Sequence, residues 1–200
     1  EEESIKKAES PYGNTKQICE EIINDTAKSD KNLNAISLRY FNPIGAHESA
    51  EIGELPLGIP QNLVPFITQT GAGIRSELIV FGDDYPTNDG TCIRDYIHVV
   101  DLAKAHIAAL TRLIDNEQTN NYEYYNIGTG KGSSVLEVIK SFEKITETKL
   151  NYKIGLRRIG DITSAFADTS KANKNLNWKA ELSLDQAMAS AWKWQKKMSK

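Results

Sequence analysis

Residues 10–16 read Ser-Pro-Tyr-Gly-Asn-Thr-Lys and open the segment that decides the fold. Ser10 is a favourable N-cap, and Pro11 suits the first helical position because the N–H that proline lacks would have no partner there. The sequence predicts a helix over about residues 11–28 and then a strand over residues 34–42. A helix that leads into a strand is half of a βαβ unit, which predicts an α/β fold.

Tyr12 and Lys16 are one turn apart on the predicted helix and therefore share a face. An ammonium beside a phenol favours the phenolate form, so the pair can move a proton. Cys19 and Ile23 continue the same face, and we expect it to point into the protein. Alternatively, the two residues are an ordinary solvated Tyr and Lys, because this spacing alone is a weak motif.

Pro43 ends the predicted strand, and a loop containing Gly45 follows. Ligands of open α/β sheets bind at the carboxyl ends of the strands, so Asn42, Pro43 and Gly45 are expected to line a pocket. Residues 46–60 are rich in Gly and Pro and predict a long loop. Loops of this length are usually functional or disordered, and we interpret this one as a site element.

The rest of the chain alternates predicted helices and strands without an internal repeat. Asp101 is expected to cap one helix, and Asp168 a short one. The predicted elements are a helix over 63–69, a strand over 76–81, an alternating segment over 94–100, the Asp101 helix, a strand over 124–127, a helix from about 135, a strand over 150–154, the short helix and a last helix over 183–197.

Residues 128–134 read Gly-Thr-Gly-Lys-Gly-Ser-Ser and lie between a predicted strand and a predicted helix. This order matches neither the dinucleotide fingerprint nor the P-loop, so we interpret the segment as a tight turn. Histidines 47, 98 and 106 have no metal-ligand spacing, and no metal site is predicted. A Gly-x-Ser-x-Gly motif is also missing, which gives serine hydrolase chemistry no support.

The composition is that of an ordinary globular protein, with 40% hydrophobic and 26% charged residues. A net charge of −3 does not favour binding to nucleic acid or to an anionic membrane surface. No apolar run approaches the length of a membrane span. Cys19 and Cys92 form no disulfide framework, which favours reduced thiols and a cytoplasmic location.

Two separated arginine positions could bind an anion in this acidic chain. Arg157 and Arg158 precede a Gly-Asp turn that ends at Asp161, and Arg94 begins the alternating segment after a turn-rich loop. Arginine forms bidentate contacts with phosphate, and aspartate binds ribose hydroxyls. The pattern indicates a diphosphate clamp, although adjacent arginines are more often solvated.

Together, five segments in the same order resemble the UDP-glucose 4-epimerases, which are extended short-chain dehydrogenases/reductases. The resemblance covers about residues 5–197, and its most specific part is the long run that begins at Phe81. The segments are residues 10–16, 38–47, 58–65, 81–99 and 157–161.

The resemblance implies a reaction that uses tightly held NAD. Tyr12 would take the proton from the sugar 4-hydroxyl while a hydride passes from C4 to the nicotinamide. The 4-keto sugar would then turn over, and the hydride would return to its other face. Lys16 would hold the nicotinamide ribose and favour the Tyr12 phenolate, with Tyr40, Phe41 and Pro43 lying along the nicotinamide.

The same resemblance implies a UDP-hexose substrate and places its contacts. The residues that would hold it are Asn42, Asn62, Arg94, Arg158 and Asp161, with Phe81 beside the uracil; Arg157 has no place in the site. Members restricted to unmodified hexoses carry a bulky Tyr at the position of Ala165. A small residue there implies acceptance of N-acetylhexosamines, unless Phe166 or another side chain fills the gap.

The expected architecture is the C-terminal part of an extended short-chain dehydrogenase Rossmann fold plus a smaller α/β substrate-binding domain. Residues 1–45 would belong to the NAD-binding domain, and residues 46–200 to the UDP-sugar domain, with segments that return to the first. The Gly-rich nucleotide turn and the catalytic Ser or Thr of the family would lie upstream. We therefore expect these 200 residues alone neither to retain NAD nor to turn over substrate, and the full-length protein to be a homodimer.

Two other readings share these residues. A nucleotide-sugar 4,6-dehydratase or decarboxylase would also use Tyr12 and Lys16, with additional acid/base residues near the sugar C5 or C6. A non-catalytic UDP-sugar-binding module would use the diphosphate clamp without chemistry.

Overall fold

The computed structural model describes residues 1–4 and 10–199. Helices and strands alternate along the chain, as the sequence predicts. The helices are α1 (Pro11–Ser29), α2 (Leu63–Gly71), α3 (Val99–Ile114), α4 (Val135–Thr146), α5 (Ser170–Asn175) and α6 (Leu184–Met198). The strands are β1 (Ala35–Tyr40), β2 (Asn42–Ile44), β3 (Leu78–Phe81), β4 (Ile93–Arg94), β5 (Tyr96–His98), β6 (Tyr122–Ile127), β7 (Ser133–Ser134), β8 (Tyr152–Gly155) and β9 (Ser164–Ala165).

The strand pairs are mostly parallel and join segments that are far apart in sequence. β1 pairs with β6 over six residues, β2 with β5, and β3 with β8, all in parallel. β4 lies between β7, which runs antiparallel to it, and β9, which runs parallel. Parallel strands connected through helices are the arrangement of α/β proteins, so the predicted fold class is confirmed.

Two apolar clusters hold these elements together. One packs under the β1–β6 pair, with Tyr125, Ile127, Ala105 and Trp178 among its members. The other joins the inner sides of α2, α4 and α6 to β3, with Ile67, Phe142 and Met188 fully buried. The first cluster lies beneath the strand that ends at Tyr40, and the second includes Val80, next to Phe81.

The structure corrects the expected start of α3. His98 is the N-cap, and its ring accepts a hydrogen bond from the Val100 amide at 3.1 Å. Asp101 lies inside the first turn and is fully buried, because its carboxylate accepts the amides of Glu181 and Leu182 at 2.9 and 2.8 Å. Its role is therefore to fix the segment before α6.

The predicted inward face of α1 is wrong. Tyr12 is 72% exposed, and Lys16, Cys19 and Ile23 are exposed with it. The face turned toward the sheet is rotated away from them and carries Gly13, Gln17, Glu20, Asn24 and Ala27. The reason is an ion pair, since Glu20 accepts two hydrogen bonds from the Arg39 guanidinium of β1 at 2.7 and 2.8 Å.

The predicted loop over residues 46–60 and the predicted glycine turn agree with the structure more closely than the predicted face of α1 does. Residues 46–60 contain no helix or strand, and residues 128–132 form the turn after β6, whereas Ser133 and Ser134 form the short strand β7 before α4. Ser134 caps α4 in a capping box with Glu137. For Asp168, the short helix does follow, but Thr169 is its N-cap while the Asp168 carboxylate accepts the Ser170 amide at 3.0 Å.

Candidate functional site

The Tyr12–Lys16 pair lies at the beginning of α1. Ser10 caps this end, its hydroxyl accepting the Gly13 amide at 3.1 Å. The Lys16 ammonium lies 5.1 Å from the centre of the Tyr12 ring, so the helical spacing brings the two side chains together as expected. Both are exposed, and within residues 1–4 and 10–199 no hydrogen bond or ion pair joins either side chain to the residues described below.

The end of β1 carries the residues that the resemblance assigns to the nicotinamide. Tyr40 is 52% exposed, and its ring centre lies 6.4 Å from that of His106. The Phe41 amide donates to the Ile127 carbonyl at 3.2 Å, which leads the chain from β1 into β2. Pro43 is exposed and lines a cleft of about 480 Å³.

This cleft lies between the carboxyl end of β2, the long loop and the beginning of α3. Gly45, Glu54 and Asn62 line it together with Pro43, whereas Asn42 is outside the lining. Asn62 is the N-cap residue of α2 but makes no side-chain cap; its Nδ2 donates to Glu54 Oε1 at 2.7 Å. The pocket expected after the strand thus contains two of the three predicted residues.

Asn42 is placed by the backbone. Its amide donates to the Asp95 carbonyl at 2.9 Å, and its register partner in β5 is Tyr96. Because Asp95 directly follows Arg94, this bond sets the beginning of β2 beside the strand that carries Arg94. The two residues are 52 positions apart in sequence, and only the parallel pairing brings their segments together.

Arg94 is fixed before any ligand binds. Its Nη1 donates to the carbonyls of Ile93 and Ile162, each at 2.8 Å, and its Nη2 lies 3.4 Å from Asp161 Oδ1. Both side chains of the ion pair are largely buried. A half-buried guanidinium with an oriented fork is suited to binding phosphate oxygens.

Two neutral groups lie under this ion pair. Burial raises the pKa of the Cys92 thiol, although Arg94 acts in the opposite direction. Burial also raises the pKa of Tyr85, and the Asp161 carboxylate adds to the effect. The Tyr85 hydroxyl has no hydrogen-bond partner among the described residues. Both groups therefore stay uncharged near neutral pH, so the cationic character of this region comes from the arginines.

Phe81 and Arg158 form a stacked pair at the end of β3. The Arg158 guanidinium carbon lies 4.5 Å from the centre of the Phe81 ring, within cation–π range. Its neighbour Arg157 is engaged elsewhere, donating to Asp84 Oδ1 at 2.6 Å and stacking over Tyr85 at 4.1 Å. The two adjacent arginines thus point to different partners, and only Arg158 joins a predicted site residue.

Ala165 lies directly beside Arg94. The two are register partners in the β4–β9 pair, and the Ala165 carbonyl accepts the Asp95 amide at 3.0 Å. The next residue, Phe166, is exposed and lies against the glycine turn: a Cβ on Gly132 would be 3.3 Å from its ring. Phe166 follows the end of β9, and its exposed ring lies toward Gly132, which gives no support to the idea that it fills the space next to Ala165.

The reading of the sequence missed Asp95. This carboxylate is fully buried and accepts hydrogen bonds from the amides of Thr129, Gly130 and Ala167 at 2.9, 3.1 and 3.2 Å, and from the Thr129 hydroxyl at 2.7 Å. The amides of the glycine-rich turn thus bind a carboxylate of the protein. Asp95 lies between β4 and β5, and the available signal was this carboxylate next to buried strand residues together with a glycine turn elsewhere in the chain.

Within residues 1–4 and 10–199, no three His, Cys, Asp or Glu side chains are grouped closely enough to hold a metal ion. In the same part of the chain, no helix is long and apolar enough to cross a membrane.

The parallel strands connected through helices make this an α/β protein, which carries a Tyr-x-x-x-Lys pair at the beginning of α1 and an arginine-lined cluster around Arg94. The model of a protein family described as GDP-mannose 4,6 dehydratase matches residues 1–191. The chain therefore belongs to this family, one of the extended short-chain dehydrogenases/reductases.

Its relatives include enzymes named UDP-glucose 4-epimerase. The protein from Drosophila melanogaster is 49% identical over 195 residues, and that from Bacillus subtilis is 47% identical over 188. These matches cover 98% and 94% of this chain but 55% of each relative, so the chain spans about half their length.

Solved structures agree with this. A UDP-glucose 4-epimerase from Stenotrophomonas maltophila, with bound NAD and a formylated UDP-arabinopyranose, superposes with a TM-score of 0.93 at 50% identity. One from Bifidobacterium longum, in complex with NAD+ and UDP, gives a TM-score of 0.87 at 50% identity. The matches cover 96% and 94% of this chain, and 56% and 55% of those chains. The resemblance to UDP-glucose 4-epimerases is confirmed.

Proposed function

We propose that the protein to which this chain belongs interconverts UDP-glucose and UDP-galactose through a 4-keto intermediate. The observation that carries the proposal is the cluster in which Arg94 pairs with Asp161 while Arg158 stacks on Phe81. This cluster offers two guanidinium groups, a carboxylate and an aromatic face, which are the groups that a uridine diphosphate needs. Relatives at about 50% identity that are named UDP-glucose 4-epimerase support it.

The residues at the end of β1 fit an NAD nicotinamide. Tyr40 and Pro43 are exposed there, with Phe41 half-buried between them, and Tyr12 and Lys16 present a hydroxyl and an ammonium on the first turns of α1. An aromatic and prolyl surface suits a flat ring, and an ammonium suits ribose hydroxyls. When bound, NAD would supply the acceptor and donor of the hydride.

Tyr12 would act as the acid/base group. Its phenolate would take the proton of the sugar 4-hydroxyl during oxidation and give it back to the 4-keto oxygen during reduction. Lys16, near the Tyr12 ring, would favour the phenolate because its positive charge stabilises the anion. Both residues keep the same roles in the two directions, as an interconversion requires.

The UDP-sugar would be held on the other side by Asn42, Asn62, Arg94, Arg158 and Asp161. Arg94 and Arg158 would contact diphosphate oxygens, Asp161 the ribose, and Phe81 the uracil. Ala165, beside Arg94, leaves room for an N-acetyl group, so we propose that UDP-GlcNAc and UDP-GalNAc are also accepted. Failure of the full-length protein to turn over UDP-GlcNAc would exclude this extension.

We also propose that two parts of the chain bind different ligands, that the full-length protein is a homodimer and that it is cytoplasmic. Residues 1–45 would serve the NAD side and residues 46–200 the UDP-sugar side. Ile18 and Ile22 are exposed on α1 and offer an apolar stripe for a second copy. Cys19 and Cys92 are both free, as reduced thiols in the cytoplasm would be.

The experiment is product analysis of the full-length protein by NMR, starting from UDP-galactose. We expect UDP-glucose as the product, with the 6-hydroxyl retained. A hexose without a 6-hydroxyl would indicate the dehydratase chemistry named in the family description, and a pentose would indicate decarboxylation. If no product forms and calorimetry detects UDP binding that does not depend on NAD, the protein is a binding module.

A further inference from the structure

The long loop of residues 46–60 is fastened to the C-terminal helix α6. The Trp194 indole N–H donates to the Glu54 carbonyl at 2.8 Å. Gly53 lies against the same ring, since a Cβ there would come within 2.5 Å of its carbons. Earlier in the loop, the Lys193 ammonium donates to the Glu48 carbonyl at 2.6 Å. The backbone around Glu54 is therefore set by a rigid helix.

The Glu54 side chain points to Asn62. Its Oε1 accepts a hydrogen bond from Asn62 Nδ2 at 2.7 Å, and both residues line the 480 Å³ cleft. A carboxylate can only accept, so this contact selects the NH₂ end of the Asn62 amide and excludes the flipped orientation. The second N–H of that NH₂ group remains available to another acceptor.

Asn62 is the N-cap residue of α2, but its side chain does not cap the helix. Asparagine is a favoured N-cap because its side-chain oxygen accepts an amide of the first helical turn, but Asn62 makes no such bond at the beginning of α2. The free N–H groups of a helix N-terminus attract anions. The contact with Glu54 thus keeps both the Asn62 amide and the first turn of α2 available to an anionic ligand.

We infer that Glu54, held in place by Trp194, is a positioning residue that orients the Asn62 amide toward the diphosphate of the UDP-sugar. The inference rests on the proposed function, in which Asn62 contacts the substrate. Glu54 acts through Asn62 and does not itself touch the diphosphate, because two anions in contact would repel each other.

An alternative role for Glu54, as a competitor of the diphosphate, predicts a different effect of its removal on UDP binding. If Glu54 instead occupied the place of the diphosphate, its removal would tighten UDP binding. A positioning role requires that removal weakens binding, that a neutral acceptor at the same position rescues it, and that the effect disappears once Asn62 is gone.

The test is calorimetry of UDP and of uridine on the full-length protein. Asn62→Ala should weaken UDP binding by about 10-fold, as expected for a hydrogen bond to a charged group. Glu54→Ala should weaken it by about 3- to 10-fold, and Glu54→Gln, which keeps an acceptor, by less than about 2-fold. The double variant should be no weaker than Asn62→Ala alone, and uridine affinity should be unchanged throughout.

Trp194→Phe is a second probe, because phenylalanine keeps an aromatic ring against Gly53 but removes the N–H donor to Glu54. We expect a raised KM for the UDP-sugar with kcat unchanged. Tighter UDP binding in Glu54→Ala, an equal loss of uridine affinity, or full additivity with Asn62→Ala would overturn the inference. If Asn62→Ala itself leaves UDP affinity unchanged, the substrate role of Asn62 in the proposed function fails, and the inference fails with it.

Discussion

The two sides of the candidate site differ in how much of their geometry the chain itself fixes. On the side that we propose for the UDP-sugar, Arg94 is oriented by two carbonyls and by Asp161, and its side chain is largely buried. On the side that we propose for NAD, Tyr12 and Lys16 have a fixed spacing but lie on the exposed face of α1. Arg94 is therefore already oriented for ligand binding, whereas Tyr12 and Lys16 remain exposed to water until a ligand or another part of the protein covers them.

The different orientation of Arg94 and of the Tyr12–Lys16 pair should affect the free energy of ligand binding. A guanidinium that is already held loses little conformational freedom when a ligand binds, so more of its contact energy contributes to affinity. An exposed phenol and ammonium interact through water and are weakly coupled. We therefore expect the UDP side to govern affinity, and the Tyr12 side to govern the rate only when NAD and substrate exclude water from it.

The largest expected effect is that of Tyr12→Phe in the full-length protein. Loss of the hydroxyl should lower kcat by about 10²- to 10⁴-fold, the usual range for a general acid–base group. UDP affinity should stay the same, because the UDP side is held by other residues. Steady-state kinetics and calorimetry measure the two effects.

Tyr152→Phe is the matched control, since Tyr152 is a partly exposed tyrosine of β8 outside the candidate site. It should leave both kcat and UDP affinity unchanged. A Tyr12→Phe protein with normal kcat would remove Tyr12 from the reaction and with it the proposed distinction between the two sides.

The second prediction tests whether a buried ion pair between α3 and β6 stabilises the fold beneath the end of β1. Arg112 of α3 donates two hydrogen bonds to Glu123 of β6, at 2.7 and 3.1 Å, and both residues are buried. Glu123→Gln leaves a buried guanidinium without its anion and should lower the free energy of unfolding by about 3–5 kcal/mol. Urea denaturation of the full-length protein measures this.

The same pair predicts a pH dependence. Burial alone would raise the pKa of Glu123, but hydrogen bonds from Arg112, Tyr125 and Thr119 outweigh it and lower the pKa to about 2. The folded pKa lies below the usual value of 4.5, so the contribution to stability is complete above that pH. It is lost as the pH falls from about 4.5 toward 2, and Glu123→Gln should reduce that acid-induced loss.

Glu77→Gln is the control for both measurements, because Glu77 pairs with Lys153 in a more exposed place. Exposed ion pairs contribute about 0–1 kcal/mol, so little change is expected. A small effect of Glu123→Gln, comparable to that of Glu77→Gln, would show that the NAD-side scaffold does not depend on this pair.

The sequence predicted these two sides unequally, for physical reasons. Helical spacing alone placed Lys16 near Tyr12, and turn composition identified the loop over residues 46–60. Periodicity failed for α1 because it ranks residues by hydrophobicity, whereas the Glu20–Arg39 ion pair determines which face meets the sheet. Asp95 was missed because the partners of its carboxylate come from the glycine turn after β6 and from Ala167 after β9, and no local pattern reports contacts so distant in sequence.

The third prediction concerns the preorganised side directly. Arg94→Ala should weaken UDP binding by about 10- to 100-fold, because charge-assisted hydrogen bonds to phosphate are lost. Arg75→Ala is the matched control: Arg75 follows α2, stacks on Phe66 at 4.8 Å and should not affect UDP. Equal affinities of the two variants in calorimetry would contradict the assignment of the UDP side to Arg94.

The smallest expected effect is that of Ala165→Tyr. It tests whether the choice between UDP-GlcNAc and UDP-glucose can change while the affinity for UDP stays the same. Ala165 is the register partner of Arg94, so Ala165→Tyr would place a ring beside the sugar without removing any charged contact. We expect kcat/KM for UDP-GlcNAc to fall by about 10-fold or more relative to UDP-glucose, since a steric clash of this kind costs a few kcal/mol at most.

Ser164→Tyr is the control, because the strand alternation of β9 directs residue 164 to the opposite, exposed face. It should leave the ratio of the two kcat/KM values unchanged. A clash beside Ala165 acts on the N-acetyl group alone, so UDP affinity should also stay the same in both variants. An equal loss for both sugars in Ala165→Tyr would mean that the ring disturbs Arg94 itself, and that recognition and specificity on this side cannot be separated.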